Sequence, residues 1–256
     1  MRWINAAAQC VADFLVEERC HACAGRIRDA DAARGAVAAA RAVPAVVAGP
    51  LRLETRVLCA DCAGEIRPWR DVVHLALPTA ERGARGMPQR LSVYPAWETD
   101  ERLLLLIHLL KFRRRASIAP WLARAMAESL PSRAREQLDR PAVLVPVPMD
   151  RASRARRGFN QAERIARELG CCWGLPVLRN AVVKPHATAV QSALGRDERL
   201  ANVSGAFAAG RDPVRGQAVI LVDDLVTTGA TAAACARVLV AGGAAVVRVV
   251  CAGYRP

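Results

Sequence analysis

The chain has 256 residues, 53% of them hydrophobic, which is enough for one large domain, or a medium domain with a small one attached, and excludes disorder as the overall state. Its 17 Gly and 15 Pro are far from a collagenous or low-complexity composition, and the longest apolar run, Leu103 to Leu110 broken by His108, is too short to cross a bilayer. A formal charge of +13 points to an anionic partner, but only Lys111 and Lys184 among the 37 basic residues are lysine, a pattern that looks like the codon bias of a GC-rich genome and leaves the local Arg clusters as the usable signal.

Asp13, Glu17 and Glu18 fall where a secretory signal needs an unbroken apolar stretch, so a cytoplasmic location is expected. Residues 1–90 lack strand-helix alternation and are read as a small N-terminal module. Within it, Cys20-His21-Ala22-Cys23 and Cys59-Ala60-Asp61-Cys62 are two knuckles, each able to present two thiolates to one tetrahedral zinc ion. A cytosolic chain does not normally spend cysteines on disulfides, and a redox dithiol needs one such motif rather than two. The stretch between the knuckles, Ala24 to Leu58, is longer than a compact zinc ribbon needs and is expected to be partly helical from Asp31 to Val43. Cys10, Cys171, Cys172, Cys235 and Cys251 are read as small buried hydrophobes.

Residues 91–256 are read as a second domain. Helices are expected from Glu101 and around Trp121 to Leu130, then short β-branched strands at Val143 to Val145, Val219 to Val222 and Ala245 to Val250, with helices over about 160–169 and 230–240. Apolar strands alternating with helices give an α/β fold, a parallel sheet covered on both faces. In such sheets ligands bind beyond the carboxyl ends of the strands, which directs attention to loops 146–160 and 223–230.

The second of these loops carries the strongest signal. A buried strand, Val219 to Val222, ends in Asp223 and Asp224, and Leu225-Val226 leads into Thr227, Thr228, Gly229, Ala230 and Thr231 at the start of a helix. Adjacent carboxylates suit two neighbouring hydroxyls or a metal, while hydroxyls and free amides at a helix start suit a phosphate. An ordinary turn with Thr as the N-cap is the plain alternative for the second part. In the earlier loop, Val145-Pro146-Val147-Pro148 runs on to Arg156-Arg157-Gly158-Phe159-Asn160-Gln161, where Arg can neutralise a pyrophosphate and Asn160 is placed to cap a helix. Residues 188–207, with Gln191, Arg196, Arg199 and Asn202, read as a polar flap.

Asp223 to Thr231 resembles the phosphoribosyl pyrophosphate (PRPP) motif of type I phosphoribosyltransferases. Together with Arg157-Gly158-Phe159-Asn160-Gln161, the 188–207 stretch, Leu110-Lys111 and the four cysteines, the pattern is similar to the ComF family, the competence-protein branch of those transferases, from about Arg102 to the end. The resemblance implies a phosphoribosyltransferase-like sheet preceded by a zinc finger. It also implies Asp223 and Asp224 on the ribose hydroxyls, Thr227 to Thr231 on the 5-phosphate, and PRPP bound with Mg²⁺. Val147, Pro148 and Arg157 are the candidates for the pyrophosphate side, Lys111 is a further one, and Arg196 and Arg199 would close from the flap. No residue identifies the acceptor nucleophile. Three readings follow: a transferase using PRPP, a non-catalytic PRPP-sensing regulator, and a factor handling single-stranded DNA alongside other competence proteins.

Overall fold

A computed structural model describes residues 19–25, 57–76, 90–112, 115, 118–130, 134, 141–185 and 205–256. The chain divides into two units, Met1–Ile66 and Arg67–Pro256. The change of pattern near residue 90 thus lies inside the second unit, whose sheet already includes a strand over 73–76.

In the first unit the described structure is a turn and one short helix. Cys20 N–H donates to Gly25 O at 2.8 Å and Ala24 N–H to Cys20 O at 2.8 Å, with Ala24 in the left-handed region at φ 58°. Helix α1 (Ala60–Gly64) starts from Cys59, whose carbonyl accepts from Ala63 N–H at 3.0 Å. His21 N–H donates to Val57 O at 3.0 Å, so a backbone hydrogen bond joins the first knuckle to the segment just before the second. The helix expected over 31–43 lies outside the described residues.

The second unit is an α/β domain. Strands β1 (Val73–Ala76), β2 (Arg90–Glu98), β3 (Ala142–Pro146), β6 (Ala218–Val226) and β7 (Val246–Tyr254) form a sheet in the order β1-β2-β7-β6-β3. All neighbours are parallel except β1, which runs antiparallel to β2. A separate antiparallel ribbon joins β4 (Val182–Val183) to β5 (Ala208–Ala209). β1 and β2 are the strands the sequence pattern hid. Pro95 interrupts a β2 segment in which Leu91, Val93, Ala96 and Trp97 are all buried, and a proline argues against a strand when a sequence is read alone.

Helices flank the sheet. Helix α2 (Glu101–Phe112) is capped by Asp100, whose Oδ1 accepts from Leu103 N–H at 2.8 Å, and buries Leu103, Leu106, Ile107 and Leu110. Helix α3 (Ile118–Ser129) contacts β2 and β7, and α5 (Gln161–Trp173) contacts α3, β3 and β6. Helix α6 (Ala230–Ala241) packs its alanines in one core with Val219 and Leu221 of β6, Val247 and Val249 of β7, and Leu91 and Val93 of β2. Small side chains allow this helix close to the strands that it follows and precedes. Of the remaining cysteines, Cys235 and Cys251 are buried as expected, but Cys171 and Cys172 are exposed. They occupy the last turn of α5, past Leu169, where the buried stripe of Ala162, Ile165, Ala166 and Leu169 has ended.

Candidate functional site

Two loops meet at the carboxyl ends of β3 and β6. These strands are neighbours in register, Pro146 opposite Val222, and Val147 N–H continues the pairing by donating to Val222 O at 2.9 Å. Short helix α4 (Arg151–Arg157) then opens on Asp150, whose side chain accepts from Ser153 N–H at 2.8 Å, and closes on Gly158 at φ 84°, a conformation that glycine adopts without cost. Asn160 caps α5 as expected, its Oδ1 accepting from Ala162 N–H at 3.0 Å, while its Nδ2 donates to Val147 O at 2.9 Å. One buried side chain thereby fixes the start of α5 against the end of β3.

These elements enclose a hollow of about 200 Å³ lined by Val147, Pro148, Asp150, Ser153, Arg157, Asn160, Gln161, Lys184 and Asp223, among others. A second, smaller hollow of about 50 Å³ is lined by Asp223, by Leu225 to Ala232 and hence by the whole Thr227, Thr228, Gly229, Ala230, Thr231 segment. Asp223 is common to both. The turn before α6 differs from a Thr-capped one, because Gly229, at φ 77°, occupies the N-cap position and no side chain closes it tightly; Thr228 Oγ1 reaches Ala230 N–H only at 3.5 Å. The first amides of α6 are therefore available to an anion, and the helix dipole favours one there. A Cβ on Gly229 would run into the Leu75 side chain, so glycine is required by space as well as by φ.

The two carboxylates occupy different environments. Asp224 is buried, with Oδ1 accepting from Leu225 N–H at 2.7 Å, and Lys111 Nζ of α2 lies 2.9 Å from its Oδ2 as an ion pair without an aligned hydrogen bond. It lines neither hollow. Asp223 is half-buried and faces both, its Oδ1 accepting from Asp224 N–H at 2.9 Å. Desolvation first, and the neighbouring Asp224 charge second, push the Asp223 carboxyl up to about 8 despite the opposing pull of Lys111. Asp150 moves the other way: burial would raise it, but the amide and hydroxyl of Ser153 and the charge of Lys184 outweigh burial and hold it below the ordinary carboxylate range. Arg157 is anchored at the rim, donating from Nη1 to Gln161 Oε1 at 3.2 Å with its guanidinium 5.2 Å from the centre of the exposed Phe112 ring. Arg196 and Arg199, with the rest of the flap, lie outside the described residues. Asp150, Ser153 and Lys184 were not singled out from sequence; Lys184 was legible only as one of two lysines in an arginine-rich chain.

The thiol ligand atoms of Cys20, Cys23, Cys59 and Cys62 all lie within 4.8 Å of one another, and Cys23 and Cys59 are 3.8 Å apart. A tetrahedron with zinc–sulfur bonds of about 2.3 Å has edges of about 3.8 Å, so the set fits a closed four-thiolate site. Around Cys20, burial is outweighed by the amides of Cys23, Cys59 and Ala22, which lower its thiol to about 7, whereas burial raises Cys59 and Cys62. Amides that favour a thiolate favour a metal-bound sulfur. The four cysteines are thus placed to hold a metal ion such as zinc.

No protein-family model matches the chain. It is 35% identical over 215 residues to the DNA utilization protein YhgH of Salmonella typhimurium, covering 79% of this chain and 92% of that one. The chain belongs to the ComF family. Competence protein F of Haemophilus influenzae is 29% identical, with 72% of this chain and 84% of that one covered, and competence protein ComFC of Bacillus subtilis is 36% identical over 42% of each chain. Among solved structures, the Trypanosoma cruzi hypoxanthine phosphoribosyl transferase is similar over 55% of this chain and 65% of that one, with 15% identity and a TM-score of 0.33. At that score the likeness assigns nothing to this chain. The ComF protein described here combines an α/β domain, built on a mostly parallel five-stranded sheet, with a four-cysteine cluster. Among the described residues no helix is long and apolar enough to cross a membrane.

Proposed function

We propose that this ComF protein binds PRPP, with the 5-phosphate on Thr227 to Thr231, the ribose hydroxyls at Asp223, and the diphosphate in the hollow of Val147, Pro148 and Arg157. The observation that carries this reading is the sharing of Asp223 by two anion-suited hollows. PRPP is a ribose with phosphate groups at opposite ends, so a hydroxyl-binding acid between two phosphate sites matches its outline. Asp224 and Lys111 act one layer behind, holding the end of β6 in position.

Mg²⁺ arriving with PRPP supplies charge neutralisation at the diphosphate. The chain supplies fixed dipoles and cations, which stabilise charge building on a departing diphosphate without reorganising. Zinc at the four cysteines is structural, and thiols kept available for a metal suit the reducing cytoplasm. Single-stranded DNA handling is the second reading, favoured by the exposed Arg151, Arg154 and Arg156 of α4 and by relatives named for DNA utilization and competence; in that reading other competence proteins are partners and PRPP sensing need not involve turnover. Labelled PRPP, offered alone and with bases, nucleotides or single-stranded DNA, tests both. Saturable binding lost in Asp223→Asn supports the PRPP site, label transferred to one acceptor adds turnover, and DNA binding with no PRPP binding overturns the first reading in favour of the second.

A further inference from the structure

Only two of the 37 basic residues are lysine, and both stand at the acid pair: Lys111 on Asp224, and Lys184 in the hollow shared with Asp223. In a chain whose other basic positions are all arginine, an ammonium at these two places marks a need that a guanidinium does not meet, for the ammonium is a compact point charge and the guanidinium a wide planar fork. Lys111 is committed to its buried partner. Lys184 is not: among the described residues no carboxylate lies within ion-pair distance of it.

Its position is nonetheless fixed. Lys184 directly follows β4, and the β4–β5 ribbon pairs Val183 with Ala208, next to Phe207. Phe207 is buried, and Lys184 Nζ lies 5.6 Å from the centre of its ring, a cation–π contact that holds the ammonium on the wall of the hollow. Arg157 comes from α4 on a different element and already spends its guanidinium on Gln161 and Phe112. The hollow is therefore lined by one cation anchored to Gln161 and Phe112 and by a second that has no ion-pair partner among the described residues, although its charge reaches Asp150.

We propose that Lys184 is a binding residue for a diphosphate group, meeting the anion in the 200 Å³ hollow that Arg157 also lines. This inference rests on the PRPP reading but concerns a residue outside both the acid loop and the Val147–Arg157 segment.

The test is calorimetry of the full chain with inorganic pyrophosphate and Mg²⁺, and separately with PRPP. Lys184→Met keeps the apolar stem on Phe207 and removes the charge. Its affinity for pyrophosphate is expected to fall about 10- to 100-fold, the value of one charged hydrogen bond, with an unchanged melting temperature. Lys184→Arg is expected to fall between that variant and wild type. In parallel, acylation of Lys184 by an amine-selective reagent, read by mass spectrometry, is expected to slow in the presence of pyrophosphate. Wild-type affinity in folded Lys184→Met, acylation indifferent to pyrophosphate, or no pyrophosphate binding by wild type would each overturn the inference. PRPP binding that still depends on Asp223 would then leave the PRPP site standing, and loss of both would remove it.

Discussion

At Cys20, Cys23, Cys59 and Cys62 four soft ligands converge from a turn and a five-residue helix, whereas Asp223 and Asp224 lie near the carboxyl end of a nine-residue strand flanked on both sides by parallel neighbours. Among the described residues around the first cluster only Val57, Leu58 and Ile66 are buried besides the cysteines, so a metal bound there would add what those few side chains do not supply. The second is carried by the sheet, which places carboxylates where their own solvation is poor and must then balance them with Lys111, amides and hydroxyls. With a metal bound, the first site would hold its own module together, whereas the second is held by its sheet. That difference decides what each substitution should do.

The largest expected effect is at the cysteines. A structural zinc in a small module contributes about 10 kcal/mol or more to folding, so Cys59→Ser with Cys62→Ser should lose the metal and the ordered structure of 19–25 and 57–66 together. Metal analysis and amide exchange at Ala24 and Ala63, whose N–H groups bond to the carbonyls of Cys20 and Cys59, report this directly. Retained zinc, or protection unchanged by its removal, would make the two sites alike and break the contrast.

The next effect is at the buried ion pair. Lys111→Met leaves Asp224 without its counter-charge in a place water does not reach, and losing one partner of a buried pair costs about 3–5 kcal/mol. The melting temperature of this variant should drop on the order of 10 °C. Asp224→Asn should cost less, because the stem of Lys111 is less buried and its ammonium can turn to water. Equal losses would mean that the pair is maintained for geometry rather than for charge.

Gly229→Ala comes third. A non-glycine residue at φ 77° costs about 1–3 kcal/mol, and the new Cβ also meets Leu75. Adding Leu75→Ala should recover the steric part and leave the conformational part, so thermal melts of the single and double variants separate the two. PRPP affinity should weaken in both, because the amides of α6 move with the turn.

Most of the acid site was legible because its chemistry is contiguous. Asp223 to Thr231 and Arg157 to Gln161 are short segments whose residue types suit hydroxyls and phosphates, and the sheet brings them to two adjoining hollows. The two knuckles were legible for the same reason. What escaped was set by tertiary neighbours. Asp150 and Lys184 carry no local pattern and acquire meaning only when the segments that follow β3 and β4 line the same hollow. The unequal standing of the two acids was hidden as well. Side-chain alternation sends Asp223 and Asp224 to opposite sides, but only the placement of α2 shows which side is solvated and which holds a lysine. Strand β2 was masked by Pro95, and the exposure of Cys171 and Cys172 by a helix that runs past its own buried stripe.

The smallest expected effect on stability is at Asp223, and its sign is opposite to the others. Its carboxyl is raised from the ordinary 3.8 to about 8, so between these values the folded chain holds a proton that the unfolded chain releases. The stability contributed by this group therefore falls as pH rises through that window and levels off above it. Asparagine is neutral at every pH and escapes this loss. Asp223→Asn should melt at nearly the wild-type temperature near pH 4, gain on it progressively toward pH 8 and stay ahead by a constant margin above. Because Asp223 is half-buried, with solvent reaching it from both hollows, the gain should be a few degrees at most. Over the same range the variant should lose PRPP affinity, an exchange of stability for binding of the kind expected where a carboxylate is kept in a poor environment for its function. Melting curves that run parallel at all pH values would show that the carboxyl is ionised at neutral pH, and would leave Lys111 rather than desolvation in control of the pair.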